Sequence, residues 1–299
     1  MKRIIAILCI IVSIFCLAAC SANENTTGNT QPKPQTQHKY EIVELSGNEK
    51  GMTFYRDDLM IYGEMSMPEG DGPFPAVIIS PGMQATFYGN KLYARELAKN
   101  GIAALSFEFT GTNNISTGSF SQSSVLTHAA DLNVVIDVVA SLPEIDSDNL
   151  FLWGHSFGGL TSAYVATQRP EDIKGLILLE PSLQIPDQYR ELYPEGSEIP
   201  ETPDSASDLS KKFIEDAISI DIFELMPSFD KEVLIFRGTA FPKREEDEHA
   251  QFMAVLEAGA EAFPNAQLVT IDGADHFFTP PYSNEVTSRA LELLEENID

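Results

Sequence analysis

The feature that most constrains this chain is a strand, a sharp turn and a helix predicted around Ser156. The apolar run Leu150–Trp153 leads into Gly-His-Ser-Phe-Gly, and a helix-compatible segment follows up to Gln168. Glycines two residues before and two residues after the serine permit the reversal, because larger side chains would clash where strand turns into helix. Such a turn holds the serine in a strained conformation with its hydroxyl exposed. We therefore predict that Ser156 is a nucleophile.

Apolar runs of strand length alternate with longer amphipathic segments from Tyr40 onward, the pattern of parallel βαβ units. Eight strands are predicted, at Tyr40–Leu45, Leu59–Met67, Ala76–Ser80, Ala103–Phe107, Leu150–Trp153, Gly175–Leu179, Val233–Phe236 and Leu268–Ile271. Helices are predicted at Tyr88–Asn100, Val125–Ser141, Gly158–Gln168, Glu245–Ala262 and Asn284–Glu296. The crossover helices indicate an α/β fold with a mostly parallel sheet covered on both faces.

One segment, Pro181 to about Asp208, does not fit this alternation. It carries repeated Pro, Glu and Tyr and has no clean period. An irregular insertion of this length in a compact domain is usually a lid or a binding loop. We therefore expect a small lid over residues 181–208.

The N-terminus has the composition of an export signal. Two basic residues after Met1 precede an apolar run, Ile4–Ala19, that is too short for a transmembrane helix and ends in small residues before Cys20. The ending Leu-Ala-Ala-Cys resembles the lipobox of bacterial lipoproteins, which implies lipidation of Cys20 and an extracytoplasmic, membrane-anchored protein. We predict a signal peptide at 1–19, a lipidated flexible tether at 20–39 and one domain at 40–299.

Charge and composition exclude several partners. The formal net charge of −26 argues against nucleic acid, which requires clustered Lys and Arg. Cleavage before Cys20 leaves one cysteine, so no disulfide and no thiolate metal site is expected. The histidines lack ligand spacing with carboxylates, and no phosphate-binding loop is present. We expect neither a metal nor a cofactor, and the sequence makes no prediction of the oligomeric state.

A nucleophilic serine requires a base, and chains with this serine turn carry serine, acid and histidine in that order. Only His249 and His276 follow Ser156. His249 lies in an acidic run at a predicted helix start, where we interpret it as a solvated residue. His276 follows the last predicted strand in IDGADHFF, where a loop can return it to the serine, so we predict that His276 is the base. His155 is expected to support the turn.

An oxyanion hole needs two backbone N–H groups directed at the developing negative charge. One is expected from Phe157, the residue after the nucleophile. The other is expected from the Pro-Gly loop after Ala76–Ser80, where Gly82 permits a tight turn and Met83 would present its N–H. The alternative is an ordinary Pro-Gly turn.

With these residues identified, the chain resembles the α/β-hydrolases from about Met60 to the C-terminus. Within them it more closely resembles the bacterial cinnamoyl and feruloyl esterases, together with related serine-peptidase-like hydrolases. The resemblance rests on the loop Pro81–Met83, the segment Phe107–Phe120, the serine turn and the GADHFF stretch. It implies an α/β-hydrolase fold, and it implies that the 181–208 insertion is a lid over an acyl or aryl pocket.

The chain departs from that family at the acid that would orient His276. The family carries an Asp after the strand that here is Val233–Phe236, and Phe241 stands at that position. We favour Glu180, because a carboxylate that ends an apolar strand needs a partner. The acids of the following loop, Glu245, Glu246 and Asp247, are alternatives, as is a site without an acid. Asp275 directly precedes His276 in the sequence. Side chains of neighbouring residues in an extended loop point in different directions, so we interpret Asp275 as a structural residue.

These residues predict hydrolysis of a carboxylic ester of a small molecule through an acyl-enzyme. A peptidase or a thioesterase would use the same machinery. A hypothesis of another class is a non-catalytic lipoprotein that binds a ligand in the former pocket. The expected partners are the ester substrate and, through the N-terminal lipid, a membrane.

Overall fold

The alternation of strands and helices produces one nine-stranded sheet in this computed structural model, which describes residues 38–201, 209–240 and 246–299. The order across the sheet is β1-β2-β3-β5-β4-β6-β7-β8-β9. The strands are β1 (Tyr40–Glu44), β2 (Glu49–Arg56), β3 (Leu59–Ser66), β4 (Phe74–Ser80), β5 (Ala103–Glu108), β6 (Ile145–His155), β7 (Gly175–Leu179), β8 (Glu232–Gly238) and β9 (Ala266–Ile271).

The sheet is mostly parallel, as predicted, but it has one strand more than the eight expected. The pairings from β5 through β9 are parallel, whereas β1, β2 and β3 join the sheet in antiparallel register. The missed strand is β2. Only Met52 and Phe54 give it an apolar face, and glutamate, lysine and glycine at its start hide the alternation. That start is held by ion pairs from Lys91 and Arg95 to Glu49, which only the folded chain brings together.

Eight helices lie among the described residues. They are α1 (Lys91–Lys99), α2 (Val125–Ser141), α3 (Phe157–Gln168), α4 (Ile185–Leu192), α5 (Lys211–Ile218), α6 (Ile222–Leu225), α7 (Glu246–Ala262) and α8 (Tyr282–Asn297). The start predicted for the first helix is instead a 3₁₀ turn at Phe87–Asn90. Helix α2 has the predicted bounds, and Ser124 fixes its start by accepting a hydrogen bond from the Thr127 N–H at 3.1 Å.

Helices cover both faces of the sheet because alternate strand residues are apolar on both sides. In β4, Ala76 and Ile78 face the core that holds α2 and α3, while Val77 and Ile79 face the core that holds α1 and α8. The carboxyl ends of the parallel strands therefore meet at one edge of a rigid support, where ligand sites of open α/β sheets form.

The insertion between β7 and β8 contains helices that the sequence pattern did not predict. Helix α4 lies in the segment expected to be irregular, and α5 and α6 follow it. The Tyr189 ring of α4 meets the Phe213 ring of α5 at 5.7 Å, and Phe213 meets Phe157 at 5.3 Å. The insertion is thus packed onto the start of α3. Residues 202–208, the end of the expected lid, lie outside the described residues.

The predicted signal peptide, Cys20 and nearly all of the predicted tether also lie outside the described residues. The described residues from 38 onward belong to one unit. Within the described ranges, none of the helices has the length and apolar character needed to cross a membrane.

Candidate active site

Ser156 lies on a sharp turn between the end of β6 and the start of α3. Its backbone has φ 54° and ψ −119°, in the left-handed half of conformational space that a residue with a side chain rarely adopts. The turn is fixed by a hydrogen bond from the Ser156 N–H to the Leu179 carbonyl at 2.9 Å. The strained, nucleophile-type turn expected from the sequence is therefore present at the carboxyl edge of the sheet.

The flanking glycines are required by close backbone approach. A Cβ atom on Gly154 would lie 2.5 Å from the Gly158 carbonyl oxygen. On Gly158 it would lie 2.2 Å from the Pro81 carbonyl oxygen, so the helix start and the Pro-Gly loop touch at that point. Any side chain at either position would push the Ser156 turn away from its neighbours.

The structure brings Glu180 and His276 together. Glu180 directly follows β7 and is fully buried, and its Oε2 lies 2.5 Å from Nδ1 of His276. Its other oxygen, Oε1, accepts a hydrogen bond from the Gly238 N–H at 2.8 Å. Both carboxylate oxygens are thus engaged, which is what a buried carboxylate needs to remain stable. The imidazole donates through Nδ1, so Nε2 is the ring nitrogen that can accept a proton.

Of the acids considered besides Glu180, Asp275 is the one whose side chain the structure describes. Glu245 and the side chains of Glu246 and Asp247 lie outside the described residues, as does Phe241. Asp275 accepts hydrogen bonds from the N–H and the hydroxyl of Thr279, at 3.0 and 2.9 Å. The structure thus pairs Glu180 with the His276 imidazole.

His276 is also attached to the serine turn through its main chain. The imidazole of His155 donates from Nε2 to the His276 carbonyl at 2.8 Å, and the two rings lie 4.7 Å apart. Burial, with a further contribution from His276, lowers the pKa of His155 to about 4. His155 is therefore neutral at pH 7 and acts as a hydrogen-bond donor that joins the residue before Ser156 to the His276 loop. His249, the alternative base, belongs to α7, and its side chain is outside the described residues.

The loop that carries Met83 lies beside the serine. A Cβ atom on Gly82 would be 3.5 Å from Cβ of Ser156 and 3.3 Å from Nδ1 of His155. A hydrogen bond from the Ala85 N–H to the Gly82 carbonyl at 3.0 Å closes the turn. Phe157 is the first residue of α3, where N–H groups have no acceptor within the helix. The two expected oxyanion donors thus belong to segments on either side of Ser156.

Sequence reasoning missed Ser182. Its Oγ lies 3.3 Å from Oγ of Ser156, and its N–H donates to the Ser156 carbonyl at 3.0 Å. No motif points to this residue, because the contact depends on how the chain turns after Glu180. Like Ser156, Glu180 has a backbone in the left-handed region, with φ 41°.

A buried carboxylate shapes the loop at the end of β5. Glu108 accepts hydrogen bonds from the Ile115 and Ser116 N–H groups, at 2.7 and 2.6 Å, and from the Asn114 amide at 2.8 Å. This loop is the centre of the Phe107–Phe120 segment. Glu108 thus stabilises a loop at the edge of the sheet where the candidate site lies.

No group of three or more His, Cys, Asp and Glu side chains arranged to hold a metal ion occurs within the described part of the chain. The chemistry offered by this site is that of a serine, an imidazole, a carboxylate and backbone N–H groups.

The chain has the α/β-hydrolase fold. This fold is defined by the strand order, the crossover helices, the serine turn and the loops that carry the acid and the histidine. Residues 71–216 match the family described as Serine aminopeptidase, S33. The structure of Est1E from Butyrivibrio proteoclasticus with bound ferulic acid superposes with a TM-score of 0.70 at 22% identity, covering 82% of this chain and 99% of that one.

Other known proteins are similar over shorter or more diverged stretches. Acetyl xylan esterase 1 from Thermoanaerobacterium has a TM-score of 0.63 at 15% identity over 88% of this chain and 89% of that one. Esterase FrsA of Escherichia coli O157:H7 is 31% identical over 124 residues, which are 40% of this chain and 28% of that protein. The chain thus matches less than a third of the length of this curated relative.

Proposed function

We propose that this chain is a serine hydrolase that cleaves carboxylic esters through an acyl-enzyme. His276 removes the proton of Ser156 through Nε2 as the serine attacks the ester carbonyl, and Glu180 holds the imidazole and stabilises its protonated form. The N–H groups of Met83 and Phe157 receive the negative charge on the carbonyl oxygen. His276 then protonates the leaving alcohol, and water activated by the same imidazole releases the acid and restores Ser156.

The contact of 2.5 Å between Glu180 and His276 carries this proposal. The absence of the expected Asp at position 241 suggests, as an alternative, a non-catalytic ligand-binding protein. A buried carboxylate on Nδ1 supplies the orienting group from another strand end. The esterase names of the similar proteins also support ester hydrolysis.

An exposed ring beside His276 and a groove that follows Ser182 in the chain suggest where the two halves of an ester would lie. Phe277 is 69% exposed and its ring lies 5.4 Å from the His276 ring, so it offers an apolar wall beside the base. A groove of about 770 Å³ between α4 and α7 is lined in part by Gln184, which is two residues after Ser182 in the chain. We place one group of the ester against Phe277 and the other toward this groove.

Reaction with a fluorophosphonate probe tests the proposal. The purified chain should be labelled at Ser156 and should hydrolyse a 4-nitrophenyl ester, and the Ser156→Ala variant should do neither while keeping its fold. Ser182→Ala is the matched control, because it removes the neighbouring hydroxyl and leaves the nucleophile. An unlabelled, folded wild-type chain would exclude a serine hydrolase.

Peptidase and thioesterase activities use the same groups, and the matched family is described as an aminopeptidase. A panel of aryl esters, an aminoacyl 4-nitroanilide and an acyl thioester distinguishes them by kcat/KM. We expect the esters to be the best substrates.

We also propose that the protein is an extracytoplasmic lipoprotein attached to a bacterial membrane through Cys20. The support is the sequence Leu-Ala-Ala-Cys after a short apolar run. Cys20→Ser should move the protein from the membrane fraction to the soluble fraction, measured by immunoblot. Retention of the variant in the membrane would indicate an uncleaved anchor.

A further inference from the structure

Ser182 is held beside the nucleophile by its main chain. Its N–H donates to the Ser156 carbonyl at 3.0 Å, a bond that does not depend on the side chain at position 182. The preceding residue, Pro181, packs closely on α3, where a Cβ atom on Gly159 would lie 2.8 Å from Cβ of the proline. The place of Ser182 relative to Ser156 is therefore fixed by backbone contacts.

The side chain of Ser182 adds a second contact with the nucleophile. Its Oγ lies 3.3 Å from Oγ of Ser156. Ser182 is buried, at 8% exposure, so bulk water has little access to its hydroxyl. Among the residues that the structure describes, Ser156 is the hydrogen-bond partner of this hydroxyl. The one side-chain contact of Ser182 is thus with the atom that would attack a substrate.

The direction of this hydrogen bond follows from the chemistry proposed for Ser156. A hydroxyl can donate or accept, so either oxygen can be the donor in the resting site. Once Ser156 has given its proton to His276, and throughout the life of the acyl-enzyme, its Oγ carries no hydrogen and can only accept. Ser182 is then the donor.

We propose that Ser182 is a catalytic residue that promotes deacylation, an inference that rests on the acyl-enzyme route proposed above. Water attacks the acyl carbonyl carbon and loses a proton to His276. When the tetrahedral intermediate collapses, the bond between that carbon and Oγ of Ser156 breaks, and its electron pair goes to Oγ. The imidazolium returns the proton to Oγ. The Ser182 hydroxyl keeps its own proton and donates a hydrogen bond to the departing oxygen.

The same hydrogen bond has less effect on acylation. There Oγ of Ser156 is the attacking atom, and a donor that helps it to lose its proton also withdraws electron density from the attack. In deacylation Oγ is the leaving atom and gains negative charge, so the hydrogen bond stabilises the transition state without this opposing effect. Loss of the Ser182 hydroxyl should therefore slow deacylation more than acylation.

Kinetics of Ser182→Ala with 4-nitrophenyl acetate separate the two steps. The variant keeps the backbone bond to Ser156, the nucleophile and the base, so it should fold and react with the fluorophosphonate probe at nearly the wild-type rate. The rate constant of deacylation should fall about tenfold, the effect of one lost hydrogen bond. Where deacylation limits turnover, kcat and KM should fall together and leave kcat/KM nearly unchanged. Mass spectrometry of acid-quenched samples should show that the acetyl-enzyme accumulates.

Ser162→Ala is the matched control. It removes a buried hydroxyl of α3 that has no hydrogen-bond partner among the described residues, so each of these rates should stay at the wild-type value. A wild-type rate of deacylation in Ser182→Ala would overturn the inference. So would equal losses in kcat, kcat/KM and labelling, since Ser182 would then only support the position of Ser156. A wild-type chain that the probe does not label would instead overturn the proposed function.

Discussion

The carboxylate of Glu180 and the imidazole of His276 meet at 2.5 Å, although 96 residues separate them in the chain. They meet because β7 and β9 end at the same edge of the sheet, with β8 between them. The Gly238 N–H at the end of β8 holds the second carboxylate oxygen at 2.8 Å. An acid at the end of β7 can therefore contact the imidazole. The family that the sequence resembles usually carries this acid at the end of the next strand, which here is β8.

Glu180→Gln should reduce turnover by up to about four orders of magnitude, because an amide at a triad acid selects the wrong imidazole tautomer. The measurement is kcat for a 4-nitrophenyl ester, with folding checked by circular dichroism. Asp275→Asn is the matched control, since Asp275 adjoins His276 but binds Thr279. Turnover in Glu180→Gln equal to that of the control would remove Glu180 from the mechanism.

Ser156→Gly should be more stable than Ser156→Ala by about 1 kcal/mol, because glycine accepts a φ of 54° without the strain that a Cβ atom imposes. Both variants should be inactive. Urea unfolding of the two proteins measures the difference in the free energy of unfolding. Equal or reversed stabilities would mean that the turn stores no strain.

Gly158→Ala should lower turnover by about two orders of magnitude, comparable to the loss of one oxyanion donor. The added Cβ would lie 2.2 Å from the Pro81 carbonyl oxygen and must displace the loop that carries Met83. Gly89→Ala is the control, because a Cβ there meets no atom within 4 Å. The measurement is kcat of Gly158→Ala compared with that of the control and the wild-type chain. Full activity in Gly158→Ala would separate the loop from catalysis.

His128 should make the fold less stable in mild acid. Burial, and then the charge of Arg56, lowers the pKa of His128 to about 3, from 6.5 in an unfolded chain. Between those values the unfolded chain binds a proton that the folded chain does not. The stability from this group is complete above pH 6.5 and declines as pH falls toward 3, by at most about 1.4 kcal/mol per pH unit.

His128→Phe keeps the stacking on Phe109, whose ring lies 4.1 Å away, and removes the titration. Urea unfolding at pH 7 and pH 5 should show a smaller loss of stability in the variant than in the wild-type chain. An equal loss in both proteins would show that His128 does not titrate in this way.

The sequence predicted the class of fold, and it predicted Ser156 and His276 as members of the candidate site. Ser156 was recognisable because a strand, a tight turn and a helix occur in consecutive residues. His276 followed from the order of the groups along the chain. β2 was missed because its buried face contains few apolar residues and its first residues are stabilised by charges from α1. Helices α4 to α6 were missed because their amphipathic patterns are short and are interrupted by proline and acidic residues.

By itself, the sequence determined the alternation of strands and helices and the serine turn, since propensity, apolar period and glycine spacing act between near neighbours. Only the tertiary structure decided that Glu180 is the carboxylate on Nδ1, that Ser182 contacts the nucleophile, and that His155 binds the His276 main chain. These contacts join residues from different strand ends. Their distances depend on strand order and register, which packing of the whole sheet fixes and no local pattern records.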